Sequence, residues 1–216
     1  MNKMKHLLFW AVVAALAMTF GACKRGATST TATAGTSDSA SITKQDMVME
    51  PFDELTLVSD ADVVIEPGEE QHVIVEAPAR VMPYVNVYVE DLDLHIDARE
   101  MPKGMKMDSV TVRVITSVIK NLELKGAGNI SASQPLVAHD IGIHLSGAGN
   151  VTLDGLTCNK LDIDLNGAGN ISISNLQAAV AETELSGAGN VVLKGHAGQH
   201  TEHVGGAGTI DTSQLK

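Results

Sequence analysis

From about Met47 onward, large apolar residues stand two apart in short runs. Leu55-Thr56-Leu57, Val63-Val64-Ile65, Val73-Ile74-Val75, Val85-Asn86-Val87-Tyr88-Val89, Leu92-Asp93-Leu94-His95-Ile96 and Val110-Thr111-Val112-Arg113-Val114 all follow this rule. Residues two apart share one side of a strand, so each run predicts a half-buried β-strand. No stretch of helical length carries a 3.6-residue period. The alanines of Leu176 to Ala181 are too short a cluster to predict a helix. The folded part of the chain is therefore predicted to be nearly all β.

The second half repeats. Gly-Ala-Gly-Asn occurs at Gly126–Asn129, Gly147–Asn150, Gly167–Asn170 and Gly187–Asn190, and Gly206-Ala207-Gly208-Thr209 is a fifth copy with Thr for Asn. Successive copies start 21, 20, 20 and 19 residues apart. Leu-x-Leu-type pairs precede each copy and Ile-x-Ile-type pairs follow it, always in the same phase: Ile143/Leu145 and Val151/Leu153, for example. Equal spacing and constant phase predict a right-handed parallel β-helix, a solenoid whose coils stack about 4.8 Å apart. The alternative, a β-sandwich-like array of hairpins, puts successive motifs on alternating sides and has no need of equal spacing. Residues 121–216 are assigned to the repeat solenoid. Residues 46–120 form an N-terminal β region of degenerate coils or a cap, in which Ser59-Asp60-Ala61-Asp62 is a faint further corner.

Within each corner, Gly126 and Gly128, Gly147 and Gly149, Gly167 and Gly169, and Gly187 and Gly189 are expected to supply either positive φ or a close approach of coils. The Ala between them is expected to point inward. Asn129, Asn150, Asn170 and Asn190, stacked at equivalent positions, are expected to form a ladder of side-chain hydrogen bonds. A phosphate-binding loop is the weaker reading, because no Lys or helix follows the glycines.

The chain opens with a basic stretch, a mostly apolar run from Leu7 to Phe20 and then Gly21-Ala22-Cys23. That run is shorter than the roughly 20 residues a spanning helix needs, and the order reads as a secretory signal over residues 1–22. Phe20-Gly21-Ala22-Cys23 resembles the lipobox of bacterial lipoproteins, which implies acylation of Cys23 and a lipid bilayer as the first partner. Residues 23–45 read as a flexible tether: ten of the 22 residues from Lys24 to Gln45 are Ser or Thr. Such a segment buries too little surface to order itself. Lys24 after the cysteine points to the outer membrane, and the sequence leaves open whether the domain faces the periplasm or the exterior.

Charge and composition narrow the function. Without residues 1–22 the chain keeps 13 basic and 26 acidic residues, which opposes nucleic-acid binding. Phe52, Tyr84 and Tyr88 are the only aromatic residues after the signal, too few for the stacking platforms of a typical sugar groove. Cys158 is the only other cysteine, so no disulfide is expected within the chain once Cys23 is acylated. It reads as a small packed residue.

Outward positions before the corners align into columns that bring Asp162, Asp164, Glu182 and Glu184 onto two adjacent coils. Stacked carboxylates repel or recruit a cation, and calcium suits oxygen ligands, so these four are the candidate metal ligands. Otherwise they form a solvated acidic face, and no other cofactor is expected. His196, His200 and His203 lie among glycines that argue against a zinc-binding helix. No catalytic triad or metalloprotease motif is present.

The Gly-Ala-Gly-Asn repeat between paired strands, the lipobox, the Phe52-Asp53-Glu54-Leu55 start and the Val110–Val114 stretch together resemble the head GIN domain family. Its members are labelled putative auto-transporter adhesins, and the likeness covers about residues 47 to 214. The resemblance implies a β-rich, solenoid-like envelope protein and brings no catalytic residue. The expected function is a non-catalytic, lipid-anchored envelope adhesin or scaffold with an unidentified envelope or extracellular partner. A small-ligand or divalent-cation binding module is the alternative, and a β-helical polysaccharide-active enzyme using the acidic column is the least favoured.

Overall fold

A computed structural model describes residues 41–216, so the assigned signal, Cys23 and the tether up to residue 40 lie outside the described residues. The alternating runs form strands, and those strands join into one continuous ladder. Each coil of the repeat has three sides. The first is built by β8 (Asn121–Leu124), β11 (Asp140–Leu145) and the C-terminal parts of β13 (Leu156–Leu165), β14 (Asn170–Leu185) and β15 (Asn190–Val204). A Gly-rich corner leads to the second side: β9 (Asn129–Ala132), β12 (Asn150–Leu153), the starts of β14 and β15, and β16 (Thr209–Leu215). The third side begins at β10 (Leu136–Val137) and continues through the start of β13 and the middles of β14 and β15. All these pairings are parallel, which excludes the hairpin array and establishes a parallel β-solenoid.

The N-terminal half holds both a coil and a cap. The strands β2 (Glu54–Leu57) and β3 (Asp62–Pro67) pair in parallel with β8 and β9. Their corner underlies the first Gly-Ala-Gly-Asn, with the N–H of Gly128 donating to Ser59 O at 3.2 Å and that of Asn129 to Ala61 O at 3.3 Å. On the opposite flank, β6 (Asp93–Ala98) and β7 (Thr111–Thr116) run parallel to β2 and β3. Stacking order therefore departs from chain order: the coil made first is sandwiched between two made later. Antiparallel strands close this end, with β4 (His72–Pro78) on β7, β1 (Ile42–Met47) on β4, and β5 (Val85–Glu90) on β6. The assignment of residues up to 45 to the tether is corrected here. Ile42–Gln45 belong to β1, where backbone pairing rather than side-chain burial orders them, since their side chains stay exposed.

Inward positions stack into apolar columns. Leu122, Ile143 and Ile163 follow one another on the first side, as do Ile130, Val151 and Ile171 on the second, and all are fully buried or nearly so. Each such side chain contributes roughly 1.5–3 kcal/mol of burial.

The corner glycines act through close approach, not through positive φ. A Cβ on Gly149 would lie 1.7 Å from Gly128 O, and one on Gly169 would lie 1.7 Å from Gly149 O. Among the described glycines only Gly104 and Gly195 have positive φ. The expectation for the alanines is overturned: Ala127, Ala148, Ala168 and Ala188 are exposed and point outward. Inward space at the corner is already taken by the coil-to-coil backbone contact at the second glycine.

Candidate functional surface

On the second side, outward asparagines on four successive coils join one another and the coils on either side. Asn129 Nδ2 donates to Asp62 Oδ1 at 2.7 Å, Asn150 to Asn129 at 2.9 Å, Asn170 to Asn150 at 2.9 Å and Asn190 to Asn170 at 3.0 Å. Thr209 Oγ1 completes the series by donating to Asn190 Oδ1 at 2.7 Å. Every bond points the same way, from a hydroxyl at one end to a carboxylate acceptor at the other. The glycines and asparagines singled out in the sequence are thus brought together, and they spend their chemistry on each other.

On the first side, alternation turns one set of polar residues outward and the parallel register stacks them. Asp162 pairs with Glu182 and Asp164 with Glu184 on neighbouring strands, so the four candidate carboxylates do share one patch. Lys160 lies among them, its Nζ 2.8 Å from Glu182 and 3.9 Å from Asp162. The bond to Glu182, followed by that residue's charge, raises the Lys160 pKa. Asn166 Nδ2 donates to Asp164 at 2.8 Å and Ser186 Oγ to Glu184 at 3.4 Å. The ammonium supplies the positive charge that such a column otherwise takes from a cation. Among the described residues, no group of three or more His, Cys, Asp or Glu has metal-holding geometry.

Nearer the cap the same face carries a tighter cluster that the sequence did not reveal. Thr56 Oγ1 donates to Asp93 Oδ2 at 2.7 Å, His95 Nε2 lies 3.2 Å from the same oxygen, and the Tyr88 ring stacks on His95 with centroids 5.0 Å apart. These residues meet because β6 inserts beside β2 out of chain order. The alternation of Asp93 and His95 was legible; their neighbour was not. Beside this cluster, Gly142 leaves a shallow notch into which Asn121 Oδ1 and His144 Nε2 both turn.

His196, His200 and His203 do not converge. His196 and His203 stand at outward positions, whereas His200 replaces an inward residue of the preceding coil, Ala181. Cys158 is buried on the third side, and burial, with the Asp140 charge as a smaller cause, raises its pKa to about 11. A thiol so protonated at neutral pH is a poor nucleophile.

Among the described residues the third side stops at β10, whose only strand partner there is β13. Residues 117–120 cross this side from β7 to β8, passing the level of the β2–β3 coil. Between that crossing and β10 lies an apolar wedge lined by Ile119, Pro135 and Leu136, with Val118 46% and Val137 69% exposed at its mouth.

The family model described as "Putative auto-transporter adhesin, head GIN domain" matches residues 51–216. Crystal structures give the same fold. A putative lipid binding protein from Parabacteroides distasonis superposes with a TM-score of 0.75 at 23% identity, over 82% of this chain and 76% of that one. A putative adhesin from Parabacteroides merdae gives 0.73 at 20%, over 82% and 75%. A putative adhesin from Bacteroides fragilis gives 0.67 at 17%, over 80% and 97%. A comparison with curated proteins gives no match.

Proposed function

We propose, from the premise that the chain belongs to the head GIN domain family of putative auto-transporter adhesins, that it is a non-catalytic, lipid-anchored adhesin or scaffold of the cell envelope. It meets its partner along the sides of the solenoid. The observation that carries this reading is the state of the outward columns. Their carboxylates, amides and ammonium groups pair with one another along the strands, as Lys160 does with Glu182, and the depression they line at Gly142, between Asn121, His144 and Lys160, is shallow. Catalysis needs a reacting group held beside a base and a stabilising donor. Recognition of a large partner needs only an extended, ordered surface.

Attachment through Cys23 and placement in the outer membrane rest on the lipobox-like Phe20-Gly21-Ala22-Cys23. The test is fractionation and protease shaving of intact cells. The wild type is expected in the outer-membrane fraction, and Cys23→Ala is expected to leave it. Equal distribution of the two proteins would sink the anchoring reading. Retention of cell adhesion after deletion of the protein would sink the adhesin role while leaving a scaffold role standing.

A second reading, an apolar ligand, is favoured by one observation, the wedge between Val118 and Val137. The Parabacteroides distasonis structure titled as a lipid binding protein shares the fold. Displacement of a fluorescent fatty acid, weakened by Val137→Lys, is the expected result; no fluorescence change at micromolar protein removes this reading.

A further inference from the structure

The inward columns change character towards the C-terminal end. On the first side, one column runs Ile141, Leu161, Ala181, His200, and the next runs Ile143, Ile163, Thr183, Glu202. On the second side the equivalent column runs Leu153, Ile173, Leu193, and Thr212 stands next to it within the register irregularity between Val192 and Lys194. The last coil therefore places three polar side chains where every earlier coil of the repeat keeps mostly apolar ones. They are bonded to one another at the end of the solenoid. Thr212 Oγ1 donates to Glu202 Oε1 at 2.7 Å, and His200 Nδ1 lies 3.2 Å from the same oxygen. The His200 side chain is only 15% exposed, and its Nε2 is buried without a partner.

Among the described residues, the strand β16 pairs only with β15, and residues 201–204 of β15 pair only with β14. Such an edge is a template for another chain, and the obvious one is a second copy of the same solenoid. An apolar terminal coil would make that stacking favourable, because each copy would bury the other's open core end. With His200, Glu202 and Thr212 there, stacking must strip water from the Glu202 carboxylate, whose side chain is still 35% exposed.

We infer that the coil from Gly195 to Leu215 is a terminator: its inward His200–Glu202–Thr212 bridge keeps copies of the chain from joining end to end. The inference concerns assembly and does not depend on what the sides bind. The bridge interrupts the columns of Leu161 and Ile163, while Val204 and Ile210 continue those of Leu185 and Val191. For a lipid-anchored protein crowded on a membrane, this leaves the sides, not the end, as the surface open to partners.

Sedimentation velocity of the full chain tests this. The wild type is expected to remain monomeric from 1 to 100 µM (a range chosen for the assay). The double variant His200→Leu with Glu202→Ile, which copies Leu161 and Ile163, is expected to associate with a concentration-dependent shift to dimers and longer species. His200→Gln with Glu202→Gln keeps polarity without charge and is expected to stay monomeric. If the leucine–isoleucine variant loses its β circular dichroism, Glu202→Ile alone takes its place with the same expectation. A folded apolar variant that stays monomeric overturns the inference. So does a wild type whose oligomers are abolished by Thr212→Pro in the β16 edge.

Discussion

The side-chain amide of Asn150 donates to the side-chain oxygen of Asn129 at 2.9 Å, one coil below it, and the outward ladder from Thr209 to Asp62 is this bond repeated. Each interior member both donates and accepts, so Asn serves there and Asp, which lacks the donor, does not. Asp62 suits the end because the last member only needs to accept.

Removing one rung breaks two bonds. Asn150→Ala and Asn170→Ala are each expected to lower stability by roughly 1–3 kcal/mol, given about 0.5–1.5 kcal/mol per bond. The two share the bond between them, so the double variant loses three bonds, not four. Its cost is expected to fall below the sum of the singles. Urea denaturation of all three proteins measures this, and strict additivity would show that the rungs act independently of one another.

The corner glycines give a sharper contrast. Gly169→Ala drives a methyl to 1.7 Å from Gly149 O. The coils must separate there, at a cost of about 3 kcal/mol, the upper range for forcing added bulk into a packed site. Ala168→Ser, one residue earlier on the exposed side, is expected to move the melting temperature within error. Equal effects of the two substitutions would contradict the close-approach role of the glycines.

These two positions also show how far the sequence could be read. Spacing and phase sufficed for the parallel stack, because a 20-residue period with fixed flanks has few other geometries. They did not tell which small residue faces in: Gly169 and Ala168 are both small, and only the distance to the next coil separates them. The insertion of β6 and β7 beneath β2 was hidden for a different reason. Strand pairing is non-local, and Leu94 or Val112 carries no mark naming Leu55 or Val63 as its neighbour. Likewise His200 reads in the sequence only as a member of a histidine cluster. Its inward place follows from the register across Ala181, and its polarity hid the alternation. The acidic column was legible as a column, but the role of Lys160 depends on side-chain reach across a strand.

Lys160 offers a test of that role. Lys160→Met leaves Asp162 and Glu182 facing each other without the ammonium. The melting temperature is expected to drop in low salt and to return to the wild-type value in about 1 M NaCl, where the Debye length is roughly 3 Å. A drop that persists in high salt would instead indicate lost packing of the lysine stem.

Cys158 gives the last prediction, in pH. Burial raises its pKa in the folded protein from 9.0 to about 11, with Asp140 adding to the effect. Below pH 9.0 the thiol is protonated in both folded and unfolded chains and contributes no pH dependence. As pH rises above 9.0 the unfolded chain releases its proton first, so stability is expected to fall between pH 9.0 and about 11 and then level off. The difference in stability between wild type and Cys158→Ala isolates this slope from the titration of lysines and tyrosines. In the same window the folded thiol is expected to react with iodoacetamide far more slowly than the urea-unfolded one. A native reaction rate matching the unfolded rate at pH 8 would mean that the third side opens to solvent, contrary to the burial of Cys158 in β13, between β10 and β14.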